Sequence, residues 1–253
     1  MEVNHISFSY DGKKEIIKDV SFALKRNKIT TLMGANGCGK STLFHLLTKT
    51  LAPQKGNVLL NGKEVSQYKM KEFARNVAIV HQNNSAPADL KVSTLVSYGR
   101  IPFLHYRMSL REEDEKIINE ALDITGLTDF KDYTVGQLSG GQRQRVWIAM
   151  ALAQSTDILF LDEPTTYLDI RYQIEILRLI QRLNREKNMT IVMVLHDINQ
   201  AIHYSDVILG MKDGKILFEG KPDEVVSTEF ISELYSIDLP VVTREGGKFV
   251  LTV

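Results

Sequence analysis

Residues 34–42 read Gly34-Ala35-Asn36-Gly37-Cys38-Gly39-Lys40-Ser41-Thr42 and contain the pattern G-x-x-x-x-G-K-S. A predicted strand at residues 29–33 precedes the glycines, and leucines at helical spacing follow them between residues 41 and 48. A strand, a glycine loop and a helix in this order bring backbone N–H groups and a positive helix end to an anion. The stretch predicts a phosphate-binding loop, in which Lys40 would bridge the β- and γ-phosphates and the Ser41 hydroxyl would bind Mg²⁺.

Two acidic residues follow a second apolar strand, predicted at residues 158–161. They are Asp162 and Glu163, and α/β sheets bind ligands at the carboxyl ends of their strands. We therefore expect Asp162 to organise Mg²⁺ through its water shell and Glu163 to polarise an attacking water. The alternative is that both acids only cap the turn at Pro164-Thr165.

A second glycine motif reads Leu138-Ser139-Gly140-Gly141-Gln142. A small hydroxyl and two glycines at the start of a helix make another anion receptor. Because the same chain already has one receptor for the γ-phosphate, a second makes sense if it completes the site of another copy. The alternative is a turn that merely starts a helix.

The three motifs together resemble those of the ATP-binding cassette (ABC) ATPases, and the resemblance covers essentially the whole chain. It implies an α/β fold with a P-loop NTPase (RecA-like) core, an N-terminal antiparallel β subdomain and an inserted α-helical subdomain. Residues 1–82 and 154–253 would form the core with its β lobe. Residues 83–153 would form the helical subdomain that carries the signature motif.

The resemblance also assigns the site residues. The nucleotide-binding residues would be Tyr10, Gly34, Asn36, Gly37, Gly39, Lys40, Ser41, Thr42, Gln82, Ser139, Gly140, Gly141, Gln142, Asp162 and Asp169. Mg²⁺ would be held by Ser41, Gln82 and Asp162, and the catalytic residues would be Glu163 and His196.

Four of these assignments rest on the resemblance alone. Tyr10 would stack on adenine, with a plain strand aromatic as the alternative, and Gln82 would contact Mg²⁺ and sense the partner subunit, unless it is a solvated strand-end residue. Asp169 would cross the dimer interface, unless it caps a helix. His196, after the predicted strand at residues 190–195, would contact the γ-phosphate and steady the attacking water. The remaining histidines are predicted to be structural or on the surface: His5, His45, His81, His105 and His203.

The composition limits the possible partners. Lys plus Arg equals Asp plus Glu at 31 each, so no overall charge favours nucleic acid. Cys38 is the only cysteine, which excludes an intramolecular disulfide and suits a reducing compartment. No apolar run approaches the roughly 18 residues of a membrane-spanning helix, so a membrane role would require docking onto another subunit.

Three segments look closest to the ATPase subunits of importers for iron–siderophore, haem or cobalamin complexes: residues 95–102, 147–154 and 164–170. This implies a homodimer with two ATP–Mg²⁺ between its copies, two membrane permease subunits and, indirectly, an extracytoplasmic substrate-binding protein. The chain would lie peripherally on the cytoplasmic face of the cell membrane. The alternatives are a cassette ATPase without a permease, such as an iron–sulfur assembly ATPase, and a non-catalytic nucleotide-binding module.

Overall fold

The computed structural model describes residues 1–104, 109–245 and 247–252. The strands, numbered along the chain, are β1 (Glu2–Phe8), β2 (Ile17–Ala23), β3 (Ile29–Met33), β4 (Lys55–Leu60), β5 (Lys63–Glu64), β6 (Val77–Val80), β7 (Ile158–Asp162), β8 (Thr190–Val194), β9 (Val207–Lys212), β10 (Lys215–Gly220), β11 (Val241–Arg244) and β12 (Gly247–Val250). The α-helices are α1 (Lys40–Leu47), α2 (Met70–Phe73), α3 (Val92–Ser97), α4 (Glu112–Ile124), α5 (Gly140–Ala153), α6 (Ile170–Lys187), α7 (Ile198–Tyr204), α8 (Pro222–Val225) and α9 (Thr228–Tyr235).

The chain forms two compact units. The first contains Met1–Tyr68 and Thr190–Val253, and the second contains Lys69–Met189. The helical subdomain predicted at residues 83–153 lies within the second unit, and its boundaries stay a prediction. Among the described residues, no helix is both long enough and apolar enough to cross a bilayer.

The first unit holds two groups of strands. One is an antiparallel sheet in the order β2-β1-β4-β5, which is the predicted N-terminal β subdomain. In the other, β3 lies between β8 and β9 and is parallel to both, and β10 pairs with β9 in antiparallel orientation. All residues of β3 and β8 are buried, as expected for central strands of a parallel sheet that is covered on both faces.

The second unit contains the parallel strands β6 and β7 and the helices α2 to α6. Apolar side chains of α3, α4 and α5 pack together in a buried cluster. In α4 this face is formed by Ile118, Ala121 and Leu122, whose spacing of three and four residues puts them on one side of the helix. The sequence pattern predicts helices over residues 110–125 and 142–153, and α4 and α5 confirm both.

A buried ion pair links α4 to Arg100 and the end of α5. Arg100 Nε donates to Asp114 Oδ1 at 2.8 Å, and Arg100 Nη1 donates to the Ala153 carbonyl oxygen at 2.8 Å. The Arg100 guanidinium also lies 4.2 Å from the centre of the Phe103 ring. The backbone N–H of Arg111 and the Arg100 guanidinium both bond the Asp114 carboxylate, which holds the pKa of Asp114 below its ordinary value.

The C-terminal tail differs from the sequence prediction. The pattern predicts one helix over residues 222–234, but the structure has two, α8 and α9. Ser227 interrupts the helix in extended conformation, and its side chain accepts a hydrogen bond from the Phe230 N–H at 3.1 Å. A serine in this position caps a new helix start, which explains the break.

Candidate functional site

The predicted phosphate loop joins β3 to α1 in the first unit. Gly34, Gly37 and Gly39 have φ values of 145°, 79° and 109°, which L-residues with side chains rarely adopt. A Cβ on Gly34 would overlap the Met211 carbonyl oxygen, so this position also needs glycine for space. Asn36, Gly37 and Ser41 are exposed, whereas Thr42 is buried in the first turn of α1.

Lys40 is buried at the start of α1, and its ammonium group bonds the loop itself. Nζ donates to the carbonyl oxygens of Gly34 at 2.7 Å and Ala35 at 3.1 Å. A buried ammonium needs such partners because desolvation of a charge is costly. The positive charge is therefore held inside the loop whose ligand is predicted to be a phosphate.

Tyr10 lies beside this loop. Its hydroxyl is 3.3 Å from the Thr42 hydroxyl, within hydrogen-bond distance, and its ring packs edge-on against Phe8. The side chain is 63% exposed, although it is a large aromatic group. The structure therefore places Tyr10 near the phosphate loop with its ring accessible; adenine stacking stays a prediction.

His196 follows the buried residues 191–195 and is exposed. The next residue, Asp197, caps α7, because its Oδ1 accepts a hydrogen bond from the Gln200 N–H at 2.8 Å. His196 is thus the exposed residue between a buried strand and a capped helix. Of the other histidines named above, His105 lies outside the described residues.

In the second unit, the register of β6 and β7 brings two predicted site residues together. Val80 pairs with Leu161, so the carboxyl ends of both strands lie side by side. Gln82 Nε2 donates to Glu163 Oε2 at 2.5 Å, while the neighbouring Asp162 is buried at the end of β7. The predicted metal-binding glutamine and the predicted base are direct neighbours.

The turn after Glu163 has an unusual backbone. Glu163 has φ = 49°, and its side-chain Oε2 also accepts from Thr166 Oγ1 at 3.1 Å. Tyr167, also at positive φ, is 90% exposed. Non-glycine residues at positive φ cluster at functional sites, where surrounding contacts hold them in place.

The signature motif forms the capped start of α5. The Gln142 N–H donates to Ser139 Oγ at 3.3 Å, and the Ser139 N–H donates to Gln142 Oε1 at 2.9 Å. This reciprocal capping box starts the helix, and Gly140 and Gly141 lie in its first turn. The helix-starting role named as the alternative is therefore present, and the anion-receptor role stays a prediction.

Substitutions at the two glycines of the signature motif, Gly140 and Gly141, are expected to have different effects on stability. A Cβ on Gly141 would lie 2.5 Å from Tyr172 Cδ1, whereas a Cβ on Gly140 would meet only Leu168 Cδ2 at 3.8 Å. We expect Gly141→Ala to lower the free energy of unfolding by about 1–3 kcal/mol, the usual cost of overpacking. Gly140→Ala is the matched control and should unfold at or slightly above the wild-type temperature. Equal thermal melts for the two variants would contradict this packing.

Asp169 caps α6 in the structure. Its Oδ1 accepts a hydrogen bond from the Tyr172 N–H at 3.2 Å, so the helix-capping role named as the alternative is present. The carboxylate is exposed, so the predicted interface role stays a prediction.

Sequence reasoning did not assign Thr166 to the site, although its hydroxyl bonds Glu163. The only available signal was its position three residues after the acid, in a turn started by Pro164. Such a contact follows from turn geometry, which the residue pattern does not specify.

The groups predicted to bind Mg²⁺ suit that ion chemically. Mg²⁺ prefers oxygen ligands and is commonly held by one or two carboxylates together with substrate phosphates and waters. Asp162 supplies a buried carboxylate, and Ser41 an exposed hydroxyl. Since Gln82 uses its amide nitrogen for Glu163, the amide oxygen is the atom left for a cation.

Comparison with known proteins gives a consistent result. The family model described as "ABC transporter" matches residues 17–166. The iron(3+)-hydroxamate import ATP-binding protein FhuC of Bacillus subtilis is 44% identical over 232 residues, covering 92% of this chain and 86% of the relative. The ferric enterobactin transport ATP-binding protein FepC of Escherichia coli is 42% identical over 231 residues, covering 91% and 85%.

A solved structure of a cassette is also similar to this chain. The cassette MJ0796, in a dimeric post-hydrolysis state bound to ADP and Pi, superposes with a TM-score of 0.73 at 28% identity. The match covers 87% of this chain and 98% of that one.

Proposed function

This chain belongs to the ABC transporter family and is an ATP-hydrolysing subunit, and from this premise we propose that it energises the import of an iron–siderophore complex. Its relatives are named for iron(3+)-hydroxamate import and ferric enterobactin transport, which supports this cargo class over haem or cobalamin. Both relatives serve transport systems, which favours this proposal over a cassette without a permease.

We propose that the first unit binds the nucleotide through the phosphate loop. In the structure Lys40 bonds the loop carbonyls. When ATP binds, its ammonium would move to the β- and γ-phosphates and form charge-assisted hydrogen bonds with them. The exposed Ser41 hydroxyl would ligate Mg²⁺. The accessible ring of Tyr10 would stack on the adenine.

The second unit would supply the group that activates water. The bonds from Gln82 and Thr166 orient the Glu163 carboxylate, which would take a proton from the attacking water. When bound, Mg²⁺ would be held by Ser41, Gln82 and Asp162 and would neutralise charge on the phosphates. His196 would steady the water and contact the γ-phosphate.

We propose a homodimer in which Ser139 and its glycines complete the site of the partner copy. The capped helix start presents backbone N–H groups suited to a phosphate, and a dimeric relative of the same family supports the assembly. Closure of the dimer would drive two permease subunits to alternate access, and hydrolysis would reset them. The chain would act at the cytoplasmic face of the membrane, and an extracytoplasmic binding protein would deliver the cargo.

The single observation of the structure that carries the ATPase part of this proposal is the pairing of Gln82 with Glu163 at the ends of two parallel strands. The test is purification in detergent from its native cells, followed by reconstitution and uptake of radiolabelled ferric siderophore, haem and cobalamin. We expect co-purification with a many-helix membrane protein and ATP-dependent uptake of ferric siderophore. A chain that purifies without any membrane partner and still hydrolyses ATP fully would favour the permease-free alternative.

A further inference from the structure

The C-terminal hairpin packs against the helix that follows His196. Strands β11 and β12 pair in antiparallel orientation, with Val241 opposite Val250 and Val242 opposite Phe249. The last residue of β12, Val250, is buried against α7. Val250 thus attaches the hairpin to α7.

Asn199 provides the main attachment. Its Nδ2 donates to the Val250 carbonyl oxygen at 3.0 Å, and its Oδ1 accepts from the Val250 N–H at 2.9 Å. The side-chain amide thus satisfies both backbone groups of one strand residue, as a neighbouring strand would. Only Asn and Gln carry a donor and an acceptor in this arrangement.

Two further contacts hold the hairpin in place. The His203 ring, one turn after Asn199, lies 4.4 Å from the Phe249 ring between centroids. Lys248 Nζ donates to the Val226 carbonyl oxygen at 2.6 Å, just beyond α8. The hairpin therefore connects α7 with the end of α8.

Asn199 is only three residues from His196. It lies in the first turn of α7, whose cap, Asp197, is the residue next to His196. A helix start that is bonded at both Asp197 and Asn199 cannot rotate without breaking hydrogen bonds.

We propose that Asn199 is a positioning residue for ATP hydrolysis: by clasping the C-terminal hairpin, it fixes the first turn of α7 and hence the direction of the His196 side chain. The inference rests on the role proposed above for His196. The Asn199 amide is engaged by the Val250 backbone, so we expect its loss to affect the chemical step rather than ATP binding.

The test uses the full chain with Asn199→Ala and the isosteric Asn199→Asp, which keeps the acceptor for the Val250 N–H but loses the donor. We expect kcat to fall about 10-fold for Asn199→Ala, within the ~10²-fold that misplacing a catalytic group by 1 Å costs, and at least as much for Asn199→Asp, whose carboxylate would repel the Val250 carbonyl oxygen. KM for ATP should change less than about twofold. Thr243→Ala, on the exposed side of β11, is the control and should leave both constants unchanged.

A spectroscopic readout separates positioning from general destabilisation. In protein labelled with ¹³C at histidine Cε1, the His196 resonance is assigned through His196→Ala. It should shift in both Asn199 variants, while the His45 resonance on α1 should not.

Wild-type kcat in both Asn199 variants, with an unmoved His196 resonance, would overturn the inference. An unchanged kcat with a raised KM for ATP would overturn it as well, because the effect would then lie in ATP binding. If His196→Ala keeps full turnover, the role proposed for His196 is wrong. The His196 resonance in the Asn199 variants still shows whether Asn199 positions the His196 side chain.

Discussion

Replacing Glu163 by Gln is expected to slow ATP turnover by about 10²–10⁴-fold while ATP binding remains intact, the usual scale for a lost general base. The amide has the shape of the carboxylate, and its oxygen can still accept the bonds from Gln82 and Thr166. Its nitrogen, however, cannot accept a proton from water. The measurement is steady-state phosphate release together with ATP affinity by equilibrium titration.

The matched control is Glu186→Gln on the exposed end of α6, which removes the same charge elsewhere in the second unit. We expect wild-type turnover for this variant. Near-normal turnover of Glu163→Gln would remove Glu163 from its proposed role. A loss of ATP affinity that accounts for the whole rate effect would do the same.

Replacing Arg100 by Met is expected to lower the free energy of unfolding by about 3–5 kcal/mol, because it leaves the buried Asp114 carboxylate without its ionic partner. The two side chains are 8% and 10% exposed. The variant also loses the bond to the Ala153 carbonyl and the contact with the Phe103 ring. The measurement is urea unfolding followed by far-ultraviolet circular dichroism.

Arg171→Met is the control for Arg100→Met, because Arg171 also pairs with a carboxylate, that of Glu175, but is 79% exposed. Exposed pairs contribute at most about 1 kcal/mol. Adding Asp114→Leu to Arg100→Met should restore part of the lost stability, since no buried charge then remains unpaired. If Arg100→Met costs no more than Arg171→Met, the buried pair does not stabilise the helical cluster.

Much of the first unit could be predicted because its signals are local in sequence. The phosphate loop needs glycines at fixed spacing between a buried strand and a helix, and positive φ values at Gly34 and Gly39 are the reason. The apolar run that forms β8 was long and uninterrupted, which is typical of a central parallel strand. The fold class that the resemblance implied is confirmed by structural relatives such as the MJ0796 cassette.

Contacts between distant segments could not be predicted from the pattern. Gln82 meets Glu163 only because β6 and β7 pair in one particular register. Arg100 lies in a segment singled out only by resemblance, and nothing in the pattern indicates that contacts with Asp114, Ala153 and Phe103 bury it. The bond of Asn199 to Val250 spans 51 residues and needs the hairpin of β11 and β12 to pack on α7.

The central claim is that each ATP site takes its phosphate loop from one copy and its signature motif from the other. Two inactive variants test it: Lys40→Ala disables the loop, and Ser139→Asp keeps a helix cap while adding a negative charge against the phosphates. Each variant alone should be inactive. A 1:1 mixture, allowed to exchange subunits, should recover up to about a quarter of wild-type ATPase activity per protomer, because half of the randomly paired dimers then contain one intact site. An inactive mixture despite proven heterodimers, or full activity of Ser139→Asp alone, would contradict the shared site.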